Sequence, residues 1–196
     1  AAPAAITNAA APNFMTQSFF LAMRNVHLSY APMVRAHERL SQHINRNHER
    51  LQDEDPQFIR LYIKKLSGDC ELLHPELLTD LVNYSTAFSS VLLKALNDNG
   101  ASDSSTEESI LSGDSLTEQQ VNVMSAFPEY ALDDMMTTLI YIAKNRADLL
   151  NIPQISNVLE LVIFFLRRPL SPESPHVRGK FSELLFQVFL PNKDRS

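Results

Sequence analysis

Three histidines, His37, His43 and His48, lie in one polar stretch of the chain and raise the question of a metal site. Two imidazoles bind the same ion from one helix when they are about four residues apart, because that spacing puts them on one face. Here the spacings are six and five residues. We therefore interpret these histidines as part of a solvated helix face, and the sequence predicts no metal ligands.

Nucleophilic chemistry has a single cysteine available, Cys70, which lies between Asp69 and Glu71. Two adjacent carboxylates disfavour the thiolate, which is the reactive form of the side chain. The chain has no Gly-x-Ser-x-Gly turn, and its four glycines are too scattered to form a phosphate-binding loop. The sequence thus predicts no catalytic and no cofactor-binding residue. Cys70 is interpreted as an incidental or partly buried thiol.

Basic residues in the last third of the chain are the candidate for binding a partner. They flank a short loop at 170–174 and comprise Arg167, Arg168, Arg178 and Lys180. Guanidinium and ammonium groups bind carboxylates, so this cluster suits an acidic protein surface. Alternatively, Arg167 and Arg168 complement the negative end of their own helix dipole.

A stretch from about residue 98 to 116 is rich in serine and acidic residues. Because this composition cannot bury a core, we predict a mobile loop. Ser104, Ser105 and Thr106 precede Glu107 and Glu108, so phosphorylation there would enlarge an existing negative patch. A plain disordered insertion is the alternative.

The elements that position these residues are predicted to be helices. Pro128, Pro153 and Pro175 are 25 and 22 residues apart, and an apolar pattern of helical period follows each one. Helices of similar length in series are typical of armadillo and HEAT arrays, so we predict an all-α fold of stacked helices that acts as a scaffold. We expect residues 1–12 to be a linker or an artificial remnant, and 13–196 to be the helical core.

Composition excludes some other functions. The formal charge of −6 argues against a nucleic-acid binder. The longest apolar run, Val158 to Leu166, is too short to span a membrane.

The periodicity also makes predictions about single elements. A first helix should run from about residue 13 to 30 and a separate one from 34 to 51. A helix opened by Pro56 should stop at Gly68 and pack through one side, and Thr117 should form a capping box with Gln120. Phe164 and Phe165 should both be buried. The expected packing side after Pro56 consists of Phe58, Ile59, Tyr62, Ile63 and Leu66.

Three blocks in order give the sequence a family resemblance. They are Asn13 to Leu28, with Asn-Phe-Met-Thr-Gln-Ser-Phe-Phe; Ala126 to Asp134, with Phe-Pro-Glu-Tyr; and Ser174 to Phe186, with Ser-Pro-His-Val-Arg-Gly-Lys-Phe-Ser-Glu. Together they resemble the helical core of the ubiquitin conjugation (chain-elongation) factors, which are U-box ubiquitin ligases. The chain departs from the family pattern at Ser174, where asparagine is usual, and in the serine-acid loop.

The resemblance implies a non-catalytic scaffold segment of a ligase that elongates ubiquitin chains on substrates for proteasomal degradation. It implies that the whole ligase is a ubiquitin transferase, acting through a U-box outside this segment. The implied partners are a ubiquitin-conjugating enzyme, a ubiquitin-selective segregase ATPase and ubiquitin-like domains of shuttle factors, in the cytoplasm and nucleus. Two alternatives stay open: a helical adaptor or transport-type scaffold with no ubiquitin role, and an enzyme-regulatory domain in which Arg168 supplies charge to a phosphate.

Overall fold

The computed structural model describes residues 14–47, 55–98, 117–128, 130–168 and 175–189. These ranges contain eight α-helices and no strand, so the predicted all-α fold of stacked helices is confirmed. A π-helical turn, Val26–Tyr30, follows the first helix, and a 3-10 turn, Ala147–Leu150, follows the sixth. The helices are α1 Phe14–Asn25, α2 Ala31–Asn47, α3 Pro56–Leu72, α4 Pro75–Asp98, α5 Glu118–Ser125, α6 Tyr130–Asn145, α7 Ile155–Arg167 and α8 Pro175–Phe189. The predicted linker at 1–12, the loop from residue 99 to 116, and His48 lie outside the described residues.

The expected break between the first two helices is absent, and that prediction was wrong. Helical backbone runs from Phe14 to Asn47, with the π turn in its middle. Pro32 has no N–H to donate to the carbonyl of Leu28, so an ordinary α turn cannot be completed there. The wider turn places the N–H of Ala31 on the carbonyl of Val26 instead. A π turn next to the proline therefore carries the chain through without ending the helix.

Helix α6 lies at the centre of the fold. Nearly every side chain from Ala131 to Ala143 is buried. The helix packs against α2, α4, α8 and the π turn, while α7 packs between α4 and α8. Phe164 and Phe165 are 2% and 0% exposed, as predicted, and the ring of Phe165 stacks on Phe181 with 5.7 Å between the centroids.

Side chains at two helix starts accept hydrogen bonds from free backbone N–H groups. Asp55 accepts a hydrogen bond from the N–H of Gln57 at 2.7 Å, directly before Pro56. Thr117 and Gln120 form the predicted capping box. The Gln120 amide also donates to the carbonyl of Leu96 at 3.0 Å, which ties α5 to the last turns of α4.

Helix α3 differs from its prediction in length and in orientation. It continues through Gly68 to Leu72. Phe58 is buried as expected, but Ile59, Tyr62, Ile63 and Leu66 face outward. The side that faces α2 includes Gly68 and Asp69, which both lie next to His37. Within the described ranges, no helix is long and apolar enough to cross a membrane.

Candidate functional site

Two consecutive aspartates at the start of α6 bind side chains from three other elements. Asp134 is buried, and its carboxylate accepts hydrogen bonds from Nδ1 of His27 on the π turn, at 2.6 Å, and from Arg35 on α2. Asp133 contacts Arg35 at 3.0 Å and Nζ of Lys180 on α8 at 2.6 Å. Because a carboxylate only accepts, Nδ1 is the protonated nitrogen of His27. Nothing in the local sequence pattern indicated these bonds, because the partners lie far away along the chain.

A cleft of about 210 Å³ lies between α2, α6 and α8, and its lining includes Arg35 and Lys180, which bind these aspartates. On its far side Lys144 bonds to Glu183 at 2.8 Å and lies 3.6 Å from Glu38. Burial by itself lowers the pKa of Lys144, but the hydrogen bond and charge of Glu183, with Glu38, outweigh burial and the pKa is raised. Lys180 also donates to the hydroxyl of Thr137 at 2.6 Å. Cations and anions in the cleft thus neutralise one another and hold three helices together.

A buried histidine joins α3 to the centre of the fold. His37 was expected on a solvated face, but it is 9% exposed and contacts Asp69 through Nε2 at 2.9 Å. Its Nδ1 lies 3.3 Å from the hydroxyl of Tyr141. Lys65 binds the second oxygen of Asp69 at 2.6 Å. The prediction failed because the partners of His37 lie 32 and 104 residues further along the chain.

The His37–Asp69 pair has the geometry of an oriented base but no activated nucleophile. The hydroxyl next to Nδ1 belongs to Tyr141, and burial, followed by the charges of Asp69 and Glu38, raises the pKa of that phenol. A phenol whose ionised form is disfavoured is a poor nucleophile. His43, by contrast, is exposed and contacts Asn47. In the part of the chain that the structure describes, no three His, Cys, Asp or Glu side chains are placed to hold a metal ion.

The basic residues predicted to meet a partner are largely engaged within the chain. Arg178 donates to the carbonyls of Arg168, Phe165 and Leu166 at 2.7, 3.2 and 3.2 Å, and so binds the end of α7. Arg168 is 6% exposed and its guanidinium lies 3.6 Å above the ring of Phe164. A group so enclosed is poorly placed to supply charge to a phosphate on another molecule. Lys180 belongs to the Asp133 contacts and Arg167 is exposed, so partner binding by this cluster stays a prediction.

An apolar stripe faces outward from α3. It consists of Ile59, Tyr62, Ile63 and Leu66, which are 44%, 46%, 60% and 44% exposed. Cys70, also exposed, lies one turn beyond Leu66. Contiguous exposed apolar groups of this kind are typical of protein-binding surfaces. The sequence assigned the stripe to the core because periodicity identifies an apolar face but not what covers it.

The fold and its contacts define an all-helical protein of stacked helices whose buried ionic groups bind one helix to another. The chain belongs to the ubiquitin elongating factor core family, whose model matches residues 2–196. The resemblance inferred from the sequence blocks is therefore confirmed, and family membership supports a role in ubiquitin chain elongation. No curated protein and no solved structure matches the chain significantly.

Proposed function

We propose that this chain is the non-catalytic scaffold segment of a U-box ubiquitin ligase that elongates ubiquitin chains on substrates destined for proteasomal degradation. The family match over residues 2–196 carries the proposal. Catalysis in such a ligase belongs to a conjugating enzyme recruited by a U-box. The chain itself contributes a rigid body that holds a substrate or a ubiquitin-bearing complex at a fixed distance from that enzyme.

The contacts of α6 support a rigid body. Its two aspartates bind the π turn, α2 and α8 together, and Lys144 adds a second tie between α2 and α8. Removing one partner of a buried or partly buried ion pair lowers the free energy of unfolding much more than removing one partner of a surface pair. The helices should therefore move as one unit when a partner binds.

The α3 stripe supports a surface for protein partners. By family resemblance these partners are a ubiquitin-selective segregase ATPase and ubiquitin-like domains of shuttle factors, with the conjugating enzyme bound through the U-box. The proposed location is the cytoplasm and nucleus. A helical adaptor with no ubiquitin role would have a similar fold, and it is the outcome if no elongation is found.

A ubiquitin-transfer assay tests the proposal in two steps. The 196-residue protein is incubated with activating enzyme, conjugating enzyme and a ubiquitin-bearing substrate. It should form no ubiquitin chains above background, whereas the parent ligase should elongate ubiquitin chains on the substrate. Chain formation by the segment would contradict its non-catalytic role, and Cys70→Ala would then test the thiol. Failure of the parent ligase with an intact U-box would refute the elongation role.

The stripe is tested in the parent ligase with Ile59→Ser/Ile63→Ser. The matched control is Val91→Ser, since Val91 is also exposed but lies on α4. We expect shorter ubiquitin chains with the first variant and unchanged chains with the control. Equal chain lengths in both would show that partners do not use the stripe.

A further inference from the structure

Lysine is scarce in this chain, and only some of the lysines form ion pairs with carboxylates. The 196 residues include six lysines, and the first 63 residues contain none. Five of the six fall in the described residues, and Lys193 lies outside them. The complete set is Lys64, Lys65, Lys94, Lys144, Lys180 and Lys193.

Three of the described lysines are engaged by carboxylates. Lys65 binds Asp69 at 2.6 Å, within the junction around His37. Lys144 binds Glu183 at 2.8 Å, and Lys180, only 14% exposed, binds Asp133 at 2.6 Å. Lys144 and Lys180 each connect α6 with α8. Their amines can react with an outside reagent only after these contacts open.

Two lysines are different. Lys64 on α3 and Lys94 on α4 are exposed, and neither forms an ion pair or hydrogen bond with the described residues. Each lies within a regular helix, so its flexible side chain extends from a fixed backbone. Both amines can therefore meet an outside reagent without opening an ion pair among the described residues.

We propose that Lys64 and Lys94 are the positions at which this chain itself accepts ubiquitin. The inference rests on the proposed function, because it takes ubiquitin held as a thioester by a conjugating enzyme as the reagent that the chain meets. The neutral amine attacks the thioester carbonyl, a C–N amide bond forms and the C–S bond breaks. The thiolate of the conjugating enzyme leaves, and the nitrogen gives up a proton. No oxidant or reductant is needed.

The paired lysines are disfavoured for two physical reasons. The attacking form is the neutral amine, and at Lys144 burial alone would lower the pKa, but the hydrogen bond and charge of Glu183 outweigh burial and raise it, which favours the charged form. Attachment of ubiquitin would also turn the ammonium into an uncharged amide, leaving Asp133 or Glu183 without its cation. Modification at Lys64 or Lys94 breaks no ion pair among the described residues.

Competitive acetylation tests the chemical premise without any ubiquitin. The folded chain is treated with a small amount of N-hydroxysuccinimide acetate, and the acetylation rate of each lysine is measured by mass spectrometry. A single ion pair should slow the reaction by up to about fivefold. Lys64 and Lys94 should therefore react about two- to fivefold faster than Lys144 and Lys180, and equal rates would overturn the proposal.

Ubiquitin transfer tests the sites themselves. The chain, with Lys193→Arg in every variant, is incubated with a ubiquitin-loaded conjugating enzyme, with and without the parent ligase, and modified lysines are mapped by mass spectrometry. Lys64→Arg/Lys94→Arg should lose most of the modification. The matched control Lys144→Arg/Lys180→Arg, which keeps its charges, should lose none. Thermal unfolding of both variants shows whether each is folded. Site mapping is also done on the chain in which Lys64, Lys94, Lys144 and Lys180 are all intact, so the comparison does not depend on any substitution at these positions.

The results separate this inference from the proposed function. Ubiquitin on Lys144 or Lys180 at the same rate, or on neither Lys64 nor Lys94, overturns the inference. Elongation is measured separately on a ubiquitin-bearing substrate. Loss of that activity while Lys64 and Lys94 still carry ubiquitin refutes the elongation role alone.

Discussion

Replacing Gly68 with alanine tests the junction between α2 and α3. Gly68 lies within α3, where glycine normally weakens a helix by about 1 kcal/mol relative to alanine. A Cβ at this position would lie 2.7 Å from Cδ2 of His37, closer than carbon atoms can pack. The imidazole has little freedom to move away, because Asp69 and Tyr141 contact its two nitrogens. We therefore expect Gly68→Ala to destabilise the protein although it improves helix propensity.

The magnitude follows from two opposing contributions. Overpacking a buried contact costs about 1–3 kcal/mol, and the propensity gain returns about 1 kcal/mol. The free energy of unfolding should thus fall by up to about 2 kcal/mol. Gly179 provides the matched control, since it lies within α8 and a Cβ there would meet nothing within 4 Å. Gly179→Ala should raise the free energy of unfolding by about 1 kcal/mol.

Urea unfolding of the two variants measures the contrast directly. Because the propensity gain is common to both, the difference between them is the overpacking cost alone, about 1–3 kcal/mol. His37→Ala in the Gly68→Ala background removes the ring and should make the alanine favourable. If Gly68→Ala stabilises the protein as much as Gly179→Ala does, the ring is not held against the glycine and the reasoning about this junction is refuted.

Three further predictions concern the core, a buried phenol and a cap. Phe165→Ala should lower the free energy of unfolding by about 3–5 kcal/mol in a urea titration, because the side chain is fully buried against Phe181; a loss below about 1 kcal/mol would show loose packing. Burial, followed by the charge of Tyr130, raises the pKa of Tyr84 to about 12, so the folded protein keeps a proton that the unfolded chain releases near pH 10. Stability should therefore fall as the pH rises from about 10 to 12, less steeply in Tyr84→Phe, and identical slopes would contradict this. Thr117→Ala should cost about 1 kcal/mol by removing the capping box, and unchanged amide exchange in α5 would count against that role.

Sequence reasoning succeeded where a feature depends on neighbours in the chain. The capping box at Thr117 needs only Gln120, three residues away, and the start of α3 needs only Asp55 and Pro56. Helices α6, α7 and α8 follow from the apolar pattern of helical period after Pro128, Pro153 and Pro175. The burial of Phe165 was predictable in the same way, since its helix has little polar surface to offer to water.

Sequence reasoning failed where the outcome depends on which helices pack against each other. Periodicity placed Ile59, Tyr62, Ile63 and Leu66 on one face of α3, correctly, but α3 packs through a different face. That choice is made by Gly68, which lets the ring of His37 approach, and by Asp69, which binds it. The sequence pattern predicts that the helix ends at Gly68, since a glycine inside an apolar pattern often marks a helix end. A close approach by another side chain is the other meaning of such a glycine.

The same limit applies to Asp134, whose role connects the fold to the proposed function. A buried carboxylate costs several kcal/mol of lost hydration and is tolerated when cations and hydrogen bonds compensate for it. Here the compensation comes from His27 on the π turn and Arg35 on α2, which lie more than ninety residues earlier in the chain. Such contacts are satisfied in only one arrangement of the helices, whereas apolar contacts alone would tolerate sliding. Under the proposed function, a scaffold that sets the distance between a substrate and a conjugating enzyme requires that single arrangement, which the contacts of Asp134 favour.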